Sequence, residues 1–408
     1  MDNINLNSFL KFGYFLNFRN PRYTIDLSRI DKSKFKNLAE NELIDEGIRL
    51  WKKTIESIFE LNQKHVVPLS GGLDSRAILA TLLEFTEASN INTYTFGSPD
   101  TFDYDIGNEI AEIVGTKHTR VPLVNYNYTM EELLEISKRI YHQTVLFHHP
   151  PLSVLENLYS DFNIWSGTII DVFFGRHTHK FKARDWYDAI QNSFKENYFT
   201  QNMDLTSLKE EDFFRYVDYD ENLKNVLVLE HVIDLLNRQL KFIAPHVLIN
   251  GFKYKLLFTN SDLSNFALSI DNIYLEDQYL YKKMFLKAFP NFFAFPTKTN
   301  FGLPLNANKL LIKARKSYLK VKNIINNYFP IFINPNINYV DFNHMIRNNS
   351  GYQNIVYKNI MDLQARNIID WINPEKIWVK FLNSKADLSK ELLLLTSLEI
   401  HLKAGLKI

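Results

Sequence analysis

A short apolar run that ends in a glycine-rich turn and continues as a helix is the feature that most constrains the fold. Residues 66–69 (VVPL) have the pattern of a buried strand, residues 70–75 (SGGLDS) that of a tight turn, and residues 76–86 (RAILATLLEFT) that of a helix. The adjacent glycines let the backbone turn without a Cβ clash. A strand that runs through such a turn into a helix predicts an α/β unit with a parallel sheet.

The same alternation extends through the first half of the chain. The residue pattern predicts helices at 41–62, 104–114, 129–146 and 151–160, and strands at 93–96, 119–123 and 163–166. We therefore predict an α/β fold in which a parallel twisted sheet carries helices on both faces, followed by a mainly helical C-terminal part. Ligands of such sheets bind at the carboxyl ends of the strands.

The turn SGGLDS has the chemistry of a phosphate site. Its backbone N–H groups, the N-terminus of the following helix and the hydroxyls of Ser70 and Ser75 are all donors for a pyrophosphate group. Asp74 does not suit an anion, but its carboxylate suits the Mg²⁺ that accompanies a nucleoside triphosphate. The turn has neither the Gly-Lys-Ser/Thr ending of kinase P-loops nor the G-x-G-x-x-G of dinucleotide folds, so neither class is indicated.

The hexapeptide resembles the PP-loop of ATP pyrophosphatases, and further segments are similar to the asparagine synthetase family. The segments with this similarity are 95–97 (TFG), 103–105 (DYD), 111–118 (AEIVGTKH), 166–175 (SGTIIDVFFG), 251–267 (GFKYKLLFTNSDLSNFA) and 276–305 (EDQYLYKKMFLKAFPNFFAFPTKTNFGLPL). The resemblance covers about residues 45 to 305, with a weaker echo at 391–404.

This resemblance implies a PP-loop/HUP-like sheet and an ATP-dependent, AMP-forming ligase that joins a carboxylate to ammonia or an amine. It implies ATP and Mg²⁺ as cofactors, with Asp74 and Asp171 as metal ligands. Lys298, Asp74 and Asp171 would be catalytic, and Lys298 would stabilise charge on the α-phosphate and the acyl intermediate. The residues that would bind the nucleotide are Leu69, Ser70, Gly71, Gly72, Asp74, Ser75, Phe96 and Gly167.

The chain departs from the family pattern beside the reacting carbonyl. Thr168 replaces the family's Glu, and Ile169 and Ile170 replace the following Gly-Ala, so we expect a narrower, more apolar pocket that disfavours aspartate. Lys253 and Lys255 replace a Glu and an Arg in the third segment and are candidates to receive an anionic group of the substrate.

The chain has no cysteine, so disulfides, zinc-thiolate sites, iron–sulfur clusters and thiol catalysis are excluded. The thiol-dependent hydrolysis of glutamine is among these, because Asp2 follows Met1 where the glutaminase begins with Cys. We therefore expect a synthetase domain without the glutaminase domain, which takes nitrogen from free ammonia, a partner subunit or an amine on a small-molecule or peptide substrate. The expected organisation is a linker-like extension at 1–40, a PP-loop ATP-binding core at 41–190 and a mainly helical part at 191–408.

Charge and hydropathy set expectations for partners and location. Lys and Arg total 47 against 46 Asp and Glu, so a general nucleic-acid-coating role is not indicated. A secretory signal and a run of eighteen apolar residues are both missing from the sequence, so we expect a cytoplasmic protein with no membrane partner. A tRNA- or nucleotide-modifying PP-loop enzyme and a catalytically silent nucleotide-binding protein stay open as alternatives.

Two lesser patterns are interpreted as structural. The pairs His148-His149 and His177-x-His179 have no acidic or sulfur neighbours, which favours polar packing or phosphate binding over a metal site. A basic run is interpreted as a solvated helix face whose charges circle the helix, with RNA or an acidic carrier protein as the alternative partner. Its residues are Lys309, Lys313, Arg315, Lys316, Lys320 and Lys322.

Overall fold

A computed structural model describes residues 3–177, 183–200, 202–328 and 333–407. The strands are β1 (His65–Pro68), β2 (Ile91–Gly97), β3 (Lys117–Pro122), β4 (Asn163–Ser166), β5 (Lys253–Leu256), β6 (Pro296–Thr297) and β7 (Leu303–Pro304). The α-helices are α1 (Asn3–Phe12), α2 (Glu40–Ile58), α3 (Asp74–Leu82), α4 (Phe102–Val114), α5 (Met130–Arg139), α6 (Leu152–Tyr159), α7 (Ile170–Phe173), α8 (Trp186–Asn197), α9 (Leu229–Ile233), α10 (Ala244–Val247), α11 (Ser261–Ser269), α12 (Tyr279–Ala288), α13 (Pro290–Phe293), α14 (Lys309–Tyr328), α15 (Phe342–Asn348), α16 (Ser350–Arg366), α17 (Pro374–Asn383) and α18 (Ser389–Lys403).

The central sheet is parallel and has the strand order β3-β2-β1-β4-β5. The chain moves outward from β1 through β2 to β3 and then returns to place β4 on the other side of β1. The strand order therefore reverses between β1 and β4, and the crevice beyond their carboxyl ends is where ligands of open α/β sheets bind. The small hairpin of β6 and β7 is antiparallel and separate from this sheet.

Both faces of the sheet are buried against helices. Val67 of β1 belongs to a core that includes residues of α2, α3, α4 and α12, whereas the adjacent Val66 belongs to a second core that includes residues of α5, α6, α16 and α18. Successive side chains of a strand point to opposite faces, so the all-apolar pair Val66-Val67 requires cover on both sides. The predicted fold class, including the helical C-terminal part, is confirmed.

The structure changes some predicted boundaries. The helix predicted at 129–146 ends at Arg139, because Tyr141 and His142 both adopt positive φ (58° and 55°), which a helix cannot continue through. The helix expected from residue 76 already begins at Asp74, inside the glycine-rich motif. The sheet also takes its edge strand β5 from residues beyond 190. The domain bounds at 40 and 190 stay a prediction.

None of the helices in the described parts of the chain is both long and apolar enough to cross a membrane.

Candidate nucleotide-binding and catalytic site

The glycine-rich turn lies at the carboxyl end of β1 and is stabilised by its own serines. The Ser70 backbone N–H donates to Ser75 Oγ over 3.3 Å, and the Gly72 N–H donates to Ser70 Oγ over 3.2 Å. The two hydroxyl oxygens are 3.4 Å apart. Both serine side chains are only partly buried, so the hydroxyls that close the turn are also accessible to a ligand.

Gly71 allows a second element to approach the turn closely. The Lys298 backbone N–H donates to the Gly71 carbonyl over 2.9 Å. A Cβ at position 71 would lie 2.7 Å from the Phe102 carbonyl oxygen and 3.2 Å from Lys298 Cβ, so only glycine fits. The β6–β7 hairpin is therefore hydrogen-bonded through its backbone to the glycine-rich turn (residues 70–75), which is called the phosphate turn for its predicted role. This bond places Lys298 beside the turn.

Arg76 fastens the same hairpin from the other side. Its side chain is fully buried, and its guanidinium donates to the carbonyls of Phe292 (3.1 Å), Phe295 (3.2 Å) and Pro296 (2.6 Å). Burial lowers the pKa of Arg76 to about 10, which leaves it charged at neutral pH. Because Arg76 is two residues after Asp74 on α3, one helix connects the phosphate turn to the segment that presents Lys298.

The ammonium group of Lys298 is held by two further side chains. Its Nζ donates to Asp103 Oδ2 on α4 and to Asn338 Oδ1 in the segment before α15. Asp103 lies in one of the segments with family similarity, whereas Asn338 lies outside them. The cation predicted to meet the α-phosphate is thus oriented by residues from two distant parts of the chain.

Asp74 and Gly167 are in tight contact across the crevice between β1 and β4. A Cβ on Gly167 would lie 2.4 Å from Asp74 Cβ, closer than carbon atoms approach. On its other side, Asp74 Oδ1 accepts a hydrogen bond from Tyr281 Oη over 2.5 Å. Burial and the nearby charge of Asp171 raise the pKa of Asp74 to about 8, although Tyr281 and Arg176 act in the opposite direction.

Asp171 is buried on α7, just after β4, and forms an ion pair with Arg176, whose Nη1 is 2.5 Å from Asp171 Oδ2. The neighbouring Val172 carbonyl is bound by the buried His231 ring over 2.7 Å, which fixes α7 to α9. Two neighbouring carboxylates are a suitable donor set for Mg²⁺, which takes one or two carboxylates and completes its shell with phosphates and water. Asp74 and Asp171 therefore fit the metal that the resemblance implies.

The segment after β4 has no carboxylate at the position of the family's Glu. Thr168 Oγ1 is 2.6 Å from Ser166 Oγ, and the Thr168 N–H also donates to that oxygen, so its polar groups are used locally. Ile169 adopts φ +74°, a conformation that suits glycine and is strained for a β-branched residue. Ile169 and Ile170 are both fully buried in the hydrophobic core, so they do not line an open pocket as the sequence suggested.

Lys255 is not a substrate-binding residue in this arrangement. Its Nζ is 3.3 Å from Glu60 Oε2, and the same carboxylate oxygen accepts from Asn163 at the start of β4. Lys255 therefore points to the amino end of the sheet, opposite to the ligand crevice.

Phe96, at the carboxyl end of β2, is covered by an aromatic stack. Its ring stacks on Tyr339, with ring centres 5.6 Å apart, and Tyr339 stacks on His148 at 5.2 Å. The Tyr339 carbonyl also accepts from Ser98 Oγ over 2.7 Å. Leu69, by contrast, has a buried side chain. Its backbone N–H donates to the Tyr94 carbonyl and its carbonyl accepts from Thr95 Oγ1, so Leu69 connects the turn to β2.

The comparison with protein families agrees with the resemblance found in the sequence. A family model described as asparagine synthase matches residues 62–146. This segment is therefore similar to the asparagine synthase family. It contains β1, the glycine-rich turn, α3, β2, α4, β3 and α5, which include most of the residues predicted to bind the nucleotide. The asparagine synthase family consists of ATP-using ligases. No curated protein matches the chain.

The structure thus brings most of the predicted site residues to one edge of the central sheet, although their roles stay predictions. The phosphate turn, Gly167, Asp171 and Lys298 meet there, and Phe96 lies at the next strand end. Sequence reasoning missed five side chains that hold this arrangement: Arg76, Asp103, Arg176, Tyr281 and Asn338. Arg76 could have been found, because a cation directly after the motif is unusual in an otherwise apolar helix.

The histidine pairs have separate environments. His149 is buried against His246, with ring centres 4.4 Å apart, and neither ring nitrogen of His149 reaches a partner with hydrogen-bond geometry. His177 follows the Asp171–Arg176 pair, and His179 lies outside the described residues. In the described ranges, three or more His, Asp or Glu side chains are nowhere arranged to hold a metal ion by themselves.

Proposed function

We propose that the protein is an ATP-dependent, AMP-forming amide ligase. A substrate carboxylate attacks the α-phosphorus of ATP, which breaks the bond to the β-phosphate and releases pyrophosphate. An amine or ammonia then attacks the carbonyl of the acyl-adenylate, AMP leaves with one carboxylate oxygen, and the amine loses a proton. The observation that carries the proposal is that one turn is bound by Lys298 through the Gly71 carbonyl and contacts Gly167 through Asp74.

Each group at this edge has a role in the proposed reaction. The turn's N–H groups and the hydroxyls of Ser70 and Ser75 bind the phosphates, and Asp74 and Asp171 hold Mg²⁺, which neutralises phosphate charge when bound. Lys298 stabilises the charge that develops on the α-phosphate, an effect worth about 3 kcal/mol for a well-aimed donor. Asp103 and Asn338 orient that ammonium group before the nucleotide enters.

The test uses the fate of the carboxylate oxygen. The full chain is incubated with Mg-ATP and a panel of ¹⁸O-labelled carboxylic acids, and exchange of labelled pyrophosphate into ATP is measured for each acid. We expect acid-dependent exchange, and transfer of one ¹⁸O to AMP once an amine is added. Formation of ADP, or AMP without the label, would contradict an acyl-adenylate.

Aspartate is expected to be a poor substrate. Thr168 leaves no carboxylate to pair with the substrate's ammonium group, and an unpaired buried charge costs several kcal/mol. We therefore expect a carboxylic acid without an ammonium group to be a better substrate than aspartate. The measurement is asparagine formed from aspartate, ATP and ammonia, with AMP counted in parallel; efficient synthesis would refute the altered specificity but not the adenylation.

Nitrogen must reach this chain without thiol chemistry. A chain without cysteine cannot hydrolyse glutamine through a thioester, so the amine comes from free ammonia, another protein or the substrate itself. Pure protein should release no glutamate from glutamine, a result that an amino-acid assay reads directly.

A catalytically silent nucleotide-binding protein is the second candidate. Two observations favour it: the family's Glu is Thr168, and the Asp171 carboxylate is already paired with Arg176. Tight binding of Mg-ATP, with no pyrophosphate exchange for any acid in the panel, would support this candidate over the ligase.

A further inference from the structure

Helix α14 projects most of its surface into solvent. Among its side chains from 309 to 326, Leu319 alone is buried. Large apolar residues on the same helix are widely exposed, with 74% of Leu310, 57% of Tyr318 and 56% of Val321 accessible. An exposed apolar surface of this extent on one element marks an interaction site.

The exposed apolar residues share one face of the helix. Positions 310, 314, 318, 321 and 325 follow the spacing of a single helical stripe and carry Leu, Ala, Tyr, Val and Ile, and Leu311 lies directly beside them. This face points away from the body of the protein. Two residues identify the side of α14 that packs on the rest of the protein. Leu319 is buried, and Arg315 Nε donates to the Phe301 carbonyl over 3.3 Å.

The basic residues lie in two lines along the helix. Lys309, Lys313, Lys316 and Lys320 are spaced three or four apart and form the line that flanks the apolar face. Arg315 and Lys322 are seven apart and lie on the side where Arg315 contacts the body of the protein. The basic residues therefore lie on two sides of the helix and not in one stripe. The helix from 309 to 328 contains no Asp or Glu, so its surface is complementary only to an anionic partner.

We propose that α14 binds in the plane of an anionic lipid surface. An apolar face with a line of lysines beside it and little net hydrophobicity is the pattern of interfacial helices, whose apolar side enters the acyl boundary while the lysines contact anionic headgroups. A second copy of the chain would bring like charges together, and nucleic acid would leave the aliphatic face exposed. The expectation of no membrane partner rested on the absence of a span, which a helix lying in the plane does not need.

The location of α14 adds a consequence for the site. The helix follows the β6–β7 hairpin that carries Lys298 and precedes the segment in which Asn338 and Tyr339 cover the nucleotide edge. With about 30 Å of helix lying on a bilayer, the proposed reaction would take place next to the lipid surface.

The experiment is sedimentation of the full chain with two kinds of vesicle, phosphatidylcholine alone and phosphatidylcholine with 30% phosphatidylglycerol. We expect binding only to the anionic vesicles, weakened by salt. The apolar variant Leu310→Gln/Val321→Gln should lower the partition coefficient ~10-fold. Its matched control is Leu61→Gln/Ile273→Gln, which changes equally exposed residues elsewhere (69% and 62%) and should bind like the wild type.

The charge variant Lys313→Glu/Lys316→Glu should weaken binding at least ~5-fold for each residue changed, whereas Lys36→Glu/Lys117→Glu, with the same change of net charge, should have little effect. All variants alter exposed side chains, so an unchanged melting temperature verifies the fold.

Three results would overturn the proposal. The first is equal binding to both kinds of vesicle, or to neither at low salt. The second is self-association that the apolar variant abolishes, which would assign the face to a second copy. The third is binding of poly-L-glutamate but not of anionic vesicles, which would assign it to an acidic protein. Exchange of pyrophosphate into ATP is measured separately, in solution without lipid. Failure of the vesicle experiment therefore leaves the ligase proposal standing.

Discussion

Gly167→Ala tests the geometry of the proposed metal site with a single methyl group. That methyl would lie 2.4 Å from Asp74 Cβ and 3.5 Å from Asp74 Cα. Carbon atoms in contact are about 3.5 to 4.0 Å apart, so Asp74 and Gly167 must separate by about 1 Å or more. Rotation of the Asp74 side chain cannot relieve this contact, because Cβ is fixed by the backbone of a residue that begins α3.

A displacement of about 1 Å at a catalytic group costs roughly 100-fold in rate. We expect a similar loss in acid-dependent pyrophosphate exchange and a weaker Mg²⁺ dependence of binding of a fluorescent ATP analogue. Overpacking should also lower the free energy of unfolding by about 1 to 3 kcal/mol, measured by urea denaturation.

The matched control is Gly115→Ala. Gly115 ends α4 at φ +80°, and its Cβ would meet no heavy atom within 4 Å, so the change is strained but sterically open. It should cost about 1 kcal/mol of stability and leave Mg²⁺-dependent nucleotide binding intact. If Gly167→Ala binds Mg-ATP and exchanges pyrophosphate like the wild type, the contact between Asp74 and Gly167 has no functional role.

Further predictions concern the metal, the hairpin and pH. Asp74→Asn and Asp171→Asn should each abolish pyrophosphate exchange while the far-ultraviolet circular dichroism stays native; wild-type exchange in either would refute the metal assignment. Arg76→Met removes the donor to three partly buried carbonyls, so urea denaturation should show a loss of about 3 kcal/mol, whereas an unchanged midpoint would contradict the role of Arg76 in holding the hairpin. Burial lowers the pKa of His149 from 6.5 to about 3, so the folded protein excludes a proton that the unfolded chain binds. The free energy of unfolding is therefore unaffected by His149 above pH 6.5. Below pH 6.5 it falls by up to about 1.4 kcal/mol per pH unit, because protonation of His149 favours the unfolded chain. His149→Leu should flatten this slope between pH 6.5 and 4, whereas His344→Gln at an exposed site should not.

The parts of the fold that depend on local sequence were predictable. A four-residue strand, a double-glycine turn and a helix are each specified by neighbours in the chain, so the α/β class, the parallel sheet and the phosphate turn followed from the pattern around Ser70. The family model matches this same stretch of the chain. Two buried faces could also be expected, because Val66 and Val67 are both apolar and point in opposite directions.

The boundaries and the substrate side were less predictable. The sequence could not show that Ile169 and Ile170 enter the core, because an apolar residue after a strand suits a pocket wall and a core equally well. The direction of Lys255 depends on its partner Glu60, which lies about two hundred residues earlier in the chain.

By itself, the sequence determined the chemistry available to this protein: a glycine-rich turn suited to phosphate, carboxylates suited to a metal, a lysine near the end of the region of family resemblance and no thiol. Only the tertiary structure decided which groups meet. Tyr281 binds Asp74 across 207 positions of the chain, and Lys298 contacts Asp103 across 195. Such pairings depend on how the helices pack onto the sheet, and no local spacing encodes a contact between residues that are brought together only when the whole core forms.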